Sequence, residues 1–313
     1  MALDFPDTAT LHTVLAQALR APSIGNSQPW RWRISNRALH LYADPDVQLP
    51  SSDPDGRERI ISCGAALHHC AVALAAAGWH AQISRFPDRA NPDHLAEIRP
   101  FRAQPTEADI ALAKAIPRRR ADRRPYGQRA IPSVAIASIC ARLSETGVIA
   151  REVRSVPRLR RIVAQAIHQH ATDPEYLAEL EKWTIRASSA TAGEWGGGDT
   201  ASEGSADNGP DNAVILALGT ANDRMLAWLR AGEASSMVLL AATAAGFACC
   251  PLTEPLEIAE TRDAVQREVF SDQASPQMLL RVGWAQCSGA PCSPTSRRPM
   301  ADVVSYVDGT RFD

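Results

Sequence analysis

The chain lacks the usual phosphate and nucleophile signatures. There is no G-x-G-x-x-G, no G-x-x-x-x-G-K-[ST] and no G-x-S-x-G, which leaves dinucleotide-fingerprint, P-loop and α/β-hydrolase readings without support. Gly196-Gly197-Gly198 is a bare triplet. The seven cysteines form no C-x-x-C pair, a pattern of reduced, cytosolic use rather than of a disulfide framework. Net charge is only -2, with a sequence pI near 6.5, so bulk electrostatics favour neither nucleic acid nor an anionic membrane. The first seven residues carry no basic, apolar leader. The longest apolar runs are broken by Gly246 and Pro251 short of the roughly twenty residues of a span. A cytoplasmic protein with no membrane or nucleic-acid partner is expected. His68 and His69 share a helical pattern with Cys63 and Cys70, but adjacent histidines diverge on a helix and no carboxylate follows at ligand spacing, so no metal site is predicted.

What is present is enough for two structural units, since 313 residues exceed what one core usually organises. Leu11, Val14, Leu15, Ala18 and Leu19 recur at helical spacing, and Pro22 stops the helix. Trp30, Trp32 and Ile34, then Leu39 and Leu41, alternate about a Ser35-Asn36-Arg37 turn as a hairpin. A long helix through Ile60 and Ala75 ends at Gly78, and strands follow at Trp79 to Ile83 and Leu95 to Phe101. A second series opens with a capping-box pattern at Thr106 to Asp109. It continues through a helix capped by Ser133, a strand at Val148 to Val153 and helices from Pro157 and Asp173. After residue 212 come a strand at Val214 to Leu218, a long helix from Asn222 to about Ala245, a short helix near Asp263 to Phe270 and a strand at Met278 to Val282. Two small-residue-rich helices, Ala65 to Ala77 and Ala234 to Ala245, each end at glycine, and small side chains suit them to pack against each other at the centre. The hairpin argues against a purely parallel sheet, so the expected class is α+β. Between them, residues 188–212 are rich in glycine, serine and acids, with Trp195 the only large apolar side chain. The stretch reads equally as a lid or an exposed linker.

Three segments could carry chemistry. Ala21-Pro22-Ser23-Ile24-Gly25-Asn26-Ser27-Gln28-Pro29-Trp30 packs turn formers, hydroxyls and carboxamides into one loop; ordinary turn chemistry with Trp30 in the core is its plain alternative. Pro117 to Gly127 places five arginines, Arg118, Arg119, Arg120, Arg123 and Arg124, in seven residues. Such a cluster repels itself unless solvent or an anion intervenes, and guanidinium grips phosphate bidentately. A solvated basic turn is the alternative; nucleic-acid contact lacks interleaved aromatics. Arg297 and Arg298 form a second basic pair. Cys249-Cys250-Pro251-Leu252-Thr253 follows Gly246-Phe247, its adjacent thiols expected to be buried rather than joined in a strained vicinal disulfide.

Arg120, Asp122, Arg124 and Tyr126 occupy the positions of an Arg-x-Ser-x-Arg-x-Phe pattern. With the 21–30 loop, Ser62 to Leu67, Trp228 to Glu233 and Pro276 to Gly283, they make nearly the whole chain resemble the FMN-dependent nitroreductase family. Within it the likeness is to the Acg-like subgroup, in which two such units share one chain. The resemblance implies a nitroreductase-like α/β sandwich forming an internal pseudo-dimer in a monomer, with units at 1–105 and 106–313. It implies FMN as cofactor, its phosphate held by Arg119, Arg120, Arg124, Arg297 and Arg298. The ring would lie between Pro22, Ser23, Ile24, Asn26 and Gln28 on one side and Pro251, Leu252 and Thr253 on the other. Asp122, standing where the family has serine, pairs with an arginine or accepts a ribityl hydroxyl. In function the resemblance implies NAD(P)H as donor, a small electron acceptor, a ping-pong order and no catalytic side chain; a flavin-sequestering protein closed by a lid is the alternative. No arginine precedes Arg20, so the loop of the first unit would serve a site whose arginines belong to the second.

Overall fold

The computed structural model describes residues 5–144, 146–187, 212–285, 292 and 294–312, with backbone alone at 182–187. The candidate lid at 188–212 therefore lies, apart from Asn212, outside the described residues.

The first half begins with α1 (Thr8–Ala18), capped by the Asp7 carboxylate accepting from Thr10 N at 2.8 Å and burying Leu11, Val14, Leu15 and Ala18. A 3-10 turn, Ile24–Asn26, leads into β1 (Trp30–Ile34) and β2 (Leu39–Ala43), a hairpin in the register Trp30 to Ala43 and Ile34 to Leu39. Then come α2 (Arg57–Ala76), β3 (Trp79–Arg85) and β4 (His94–Arg102). The second half contains α3 (Glu107–Ala115), α4 (Ser133–Ala141), β5 (Val148–Glu152), α5 (Val156–Ala171), α6 (Pro174–Ala187) and β6 (Val214–Thr220). It continues with α7 (Met225–Ala244), β7 (Ala248–Leu252), α8 (Glu254–Glu257), α9 (Ala259–Val265), a π turn at Gln266–Phe270, β8 (Ser275–Gly283), α10 (Met300–Val303) and β9 (Val304–Tyr306). Thr106 and Asp109 form the reciprocal capping box at α3. Ser133, expected as a cap, is instead the first residue of α4 behind Pro132, and no side chain caps that helix.

Two sheets enclose a pair of helices. One has strand order β3-β4-β2-β1-β9, the other β5-β6-β8-β7. Between them α2 and α7 touch backbone to backbone: a methyl group on Gly64 would sit 2.1 Å from Leu229 O, and one on Gly232 would sit 1.9 Å from Ile61 O. Only glycine at both positions permits this approach. Both helices are buried on nearly all sides, as befits a core helix with little amphipathic contrast. α2 is the one helix among the described residues long and apolar enough to cross a membrane, and here it is the packed centre of a core. Arg85 of β3 grips Glu233 of α7 through Nε and Nη2 at 2.7–3.2 Å, tying the two halves at their seam.

One connection is not sequential. β9 pairs in parallel with β1, Trp32 opposite Val304, so the last strand of the second half completes the sheet of the first. The 105/106 boundary divides the chain but not the sheets. Sandwich layers and mixed pairing make this an α+β fold, as expected.

Candidate functional site

The loop after α1 is held by α2 and by the C-terminal segment. Gly25, Asn26 and Gln28 all take positive φ near 53°, a tight path that glycine and carboxamide residues tolerate. Ile24 N donates to Ser62 Oγ of α2 at 3.1 Å, and that hydroxyl donates to Glu58 O at 2.7 Å. Ser23 Oγ accepts from Gln28 N at 3.0 Å. Asn26 Nδ2 donates to Ser296 O at 3.1 Å while its Oδ1 accepts from Arg297 Nη1 at 3.2 Å. Gln28 Oε1 accepts from Arg298 N at 2.8 Å, and Gln28 Nε2 donates to Asn26 O at 3.1 Å. The Asn26 and Gln28 carboxamides thus hold the Arg297-Arg298 segment, about 270 residues away, by hydrogen bonds. Pro22 is half-buried at the loop's start.

The arginines divide into two sets. Arg124 is clamped on Asp122 through Nε at 2.9 Å and Nη2 at 2.7 Å; the arginine first, then backbone hydrogen bonding, holds the Asp122 carboxyl below its usual range. Arg298 pairs with Asp44 at 3.0 Å, and Asp44 is also gripped by Arg31 at 2.9 Å. Burial alone would raise the Asp44 pKa, but the hydrogen bonds from Arg298 and Arg31 bring it below the usual value. Arg124 and Arg298, two of the five arginines expected on a phosphate, are thus each paired with a carboxylate of the chain. The other set has no carboxylate partner among the described residues. Arg119 follows α3, is 6% exposed, and leaves Nε and Nη1 buried without a hydrogen-bond partner. Arg120 reaches only carbonyls: Cys292 O at 3.2 Å, Pro117 O at 2.9 Å and Arg119 O at 2.8 Å. Arg297 donates to Asn26 Oδ1, Ser296 O and Thr295 through Nη1 and to Arg20 O through Nη2, with Nε buried and unpartnered. Burial first, then repulsion from Arg119, Arg20 and Arg120, pulls the Arg297 pKa down to about 9. Burial likewise lowers that of Arg119, with Arg120 and Arg20 adding repulsion.

Two members of this cluster were not anticipated. Arg20 closes α1 and lies beside Arg119 and Arg297. His69 of α2 is fully buried under the same arginines, its Nε2 without a partner. Its sequence setting is that of an ordinary core histidine, so only the approach of Arg119 from 50 residues away reveals it.

The third segment forms β7 and the turn after it. Asp122 N donates to Cys249 O at 3.1 Å, placing the arginine motif against this strand, and Tyr126 OH donates to Asp122 O at 2.8 Å. Gly283 makes room for the Tyr126 ring, since a methyl group there would lie 2.2 Å from it. Cys249 and Cys250 are free, buried thiols, and burial pushes both pKa values up, that of Cys249 to about 11. Pro251 and Leu252 pair with Leu280 and Leu279. Thr253 Oγ1 donates to Glu257 Oε1 at 2.7 Å. Behind it lies an acidic cluster with its own partners. Arg57 bonds Gln277 O, Gln277 Oε1, Leu256 O and Glu58 at 2.7–3.2 Å, and burial raises Glu58 to about 7. Among the described residues no group of three or more His, Cys, Asp or Glu is placed to hold a metal.

Within this cluster Arg119 is buried and Arg20, Arg120 and Arg297 are half-buried. A buried guanidinium nitrogen without a partner is costly until water or an anion satisfies it. Guanidinium donors are forked, a geometry suited to phosphate. Fold and site together define an α+β protein of two facing sheets with a cluster of arginines where its halves meet.

No family model matches the sequence. A Mycobacterium tuberculosis protein provisionally named as an NAD(P)H nitroreductase is 52% identical over 326 residues, covering 98% of this chain and 94% of its own length. A second from the same species, provisionally named NAD(P)H nitroreductase acg, is 36% identical, covering 95% and 97%. The crystal structure of a provisionally assigned nitroreductase from Anabaena variabilis superposes with a TM-score of 0.56 at 9% identity over 90% of each chain, a likeness of fold. The chain belongs to the NAD(P)H nitroreductase family.

Proposed function

We propose that this protein binds one FMN per chain and passes electrons from NAD(P)H to a small acceptor. The observation that carries this reading is the set of buried guanidinium nitrogens on Arg119 and Arg297 that no group among the described residues satisfies. Arg119, Arg120, Arg20 and Arg297 would hold the phosphate. Arg124 and Arg298, neutralised by Asp122 and Asp44, would support the site from behind. Ser23, Ile24 and Asn26 on one side, and Pro251, Leu252 and Thr253 on the other, would border the ring. Ser62 and His69 lie seven residues apart on α2, about 10 Å along its axis, which suits a cofactor laid along the helix. Bound flavin supplies hydride chemistry, and the chain's part is to bind, orient and shield it. Donor and acceptor would take turns in one opening, a ping-pong order with no catalytic side chain. The two halves would stand for the two subunits of a dimer, the first contributing the loop and the second the arginines. The sequestering alternative rests on a lid at 188–212, and nothing in the described residues favours it.

Reconstitution tests the reading. Apo protein mixed with FMN should retain a flavin absorption band through gel filtration, should bind riboflavin, which lacks the phosphate, at least a hundredfold more weakly, and should bleach on mixing with NADPH or NADH. Equal retention of FMN and riboflavin would contradict the phosphate site; a stable band that neither nicotinamide bleaches would contradict the oxidoreductase.

A further inference from the structure

Resting on the FMN reading, we propose that His69 is a further member of the phosphate cradle and that it takes up one proton from solvent when the phosphate binds. The tautomer follows from hydrogen bonding. His69 Nδ1 lies 3.0 Å from Ala65 O, which can only accept, so Nδ1 carries the hydrogen. Ser236 Oγ of α7 lies 2.8 Å from His69 Nδ1 and 2.7 Å from His68 Nδ1. It can share the first hydrogen and donate its own to His68, which makes the network consistent. In the neutral ring Nε2 is then a bare lone pair. It is buried in a residue of 0% exposure and has no partner.

The groups around the ring explain why it waits. Arg119, at the end of the α3 segment, Arg297, in the C-terminal segment, and His68, on its own helix, all oppose a positive charge on it. Burial is the larger influence, and together they hold the ring well below the ordinary imidazole value. A lone pair cannot donate to a phosphate oxygen. A dianion placed among Arg119, Arg297 and His69 reverses the local field, and protonation converts Nε2 from an acceptor into a donor. No bond other than N–H forms, and the proton comes from water.

The test is isothermal titration of apo protein with FMN at pH 7.5 in phosphate-free buffers of different ionisation enthalpy. At this pH FMN phosphate is already largely a dianion, its second pKa being about 6, and Arg297, at about 9, is already charged. The wild type should take up close to one proton per FMN, and riboflavin binding should take up none. His69→Gln, whose amide can donate without titrating, should still bind FMN with uptake near zero, and its affinity should lose the near-tenfold fall per pH unit expected of the wild type above pH 7. Equal uptake by wild type and His69→Gln, or equal uptake with FMN and riboflavin, would overturn the role of His69 while leaving FMN binding intact. No uptake by the wild type would overturn it without recourse to a variant. Absence of any FMN binding heat, confirmed by absence of a retained flavin band, would instead bring down the FMN reading, and the proposal with it.

Discussion

Charged groups meet α2 at its first turn and again three turns later, and the two places are finished differently. At the first turn, Arg57 and Glu58 are 2% and 3% exposed, yet every Arg57 hydrogen bond has an acceptor: a carboxylate, a carboxamide or a carbonyl. Nearby, Glu179 accepts from Ser51 N, Ser52 N and Ser52 Oγ at 2.5–3.1 Å. His170 meets Glu254 at 2.7 Å and stacks on Tyr176. Three turns on, His69 lies under Arg119 and Arg297 with four buried nitrogens between them unpartnered. A buried charge with its partners supplied by the chain is part of the fold. One without them costs stability until another group satisfies it.

The largest effects should come from treating the two places alike. Arg57→Met removes the counter-ion of Glu58 and strands Gln277, so the apo protein should lose about 3–5 kcal/mol, read as a drop in the urea midpoint at pH 7.5. Arg119→Met removes a cation that nothing opposes. Its apo midpoint should hold or rise, while FMN affinity should fall by about a hundredfold, the worth of charge-assisted hydrogen bonds at roughly 1.5–3 kcal/mol. If both variants destabilise the apo protein equally, the cation pocket is a structural element and the contrast fails.

Which arginines would be left without an acid was only partly legible in the sequence. Asp122 sits two residues from Arg124, and its pairing with an arginine could be read directly; the structure adds that the partner is Arg124. Asp44 and Arg298 are 254 residues apart, and no local pattern reports such a pair. The central helices were legible because their small residues and terminal glycines are local signals, and the Gly64–Gly232 contact gives those signals their meaning. The hairpin was legible from strict alternation at Trp30, Trp32 and Ile34. β9 was not, since three residues carry no period and its pairing with β1 spans 272 positions. The loop at 21–30 is legible as site-building from its turn formers and carboxamides, but the contacts of Asn26 and Gln28 with Ser296, Arg297 and Arg298 are not. Sequence gives a side chain's hydrogen-bonding capacity; only the fold decides which groups claim it first.

The smallest expected effect probes the one incomplete member of the acidic cluster. Glu257 accepts from Thr253 through Oε1, but its Oε2 is buried with no hydrogen-bond partner. Burial first, then the neighbouring Glu58 charge, raises its pKa well above 4.5. Folded protein therefore keeps this proton where the unfolded chain has released it, so the group's contribution to stability is lost as pH climbs above 4.5 toward the folded value. Glu257→Gln keeps an acceptor for Thr253 and cannot ionise. Its unfolding midpoint should match the wild type at pH 4 and exceed it at pH 8 by about 1–2 kcal/mol, the usual cost of an unsatisfied buried polar group. A variant less stable than the wild type at pH 8 would mean that the Glu257 charge is satisfied in the fold. In that case the acidic cluster is complete, and the contrast with Arg119, Arg297 and His69 is sharpened.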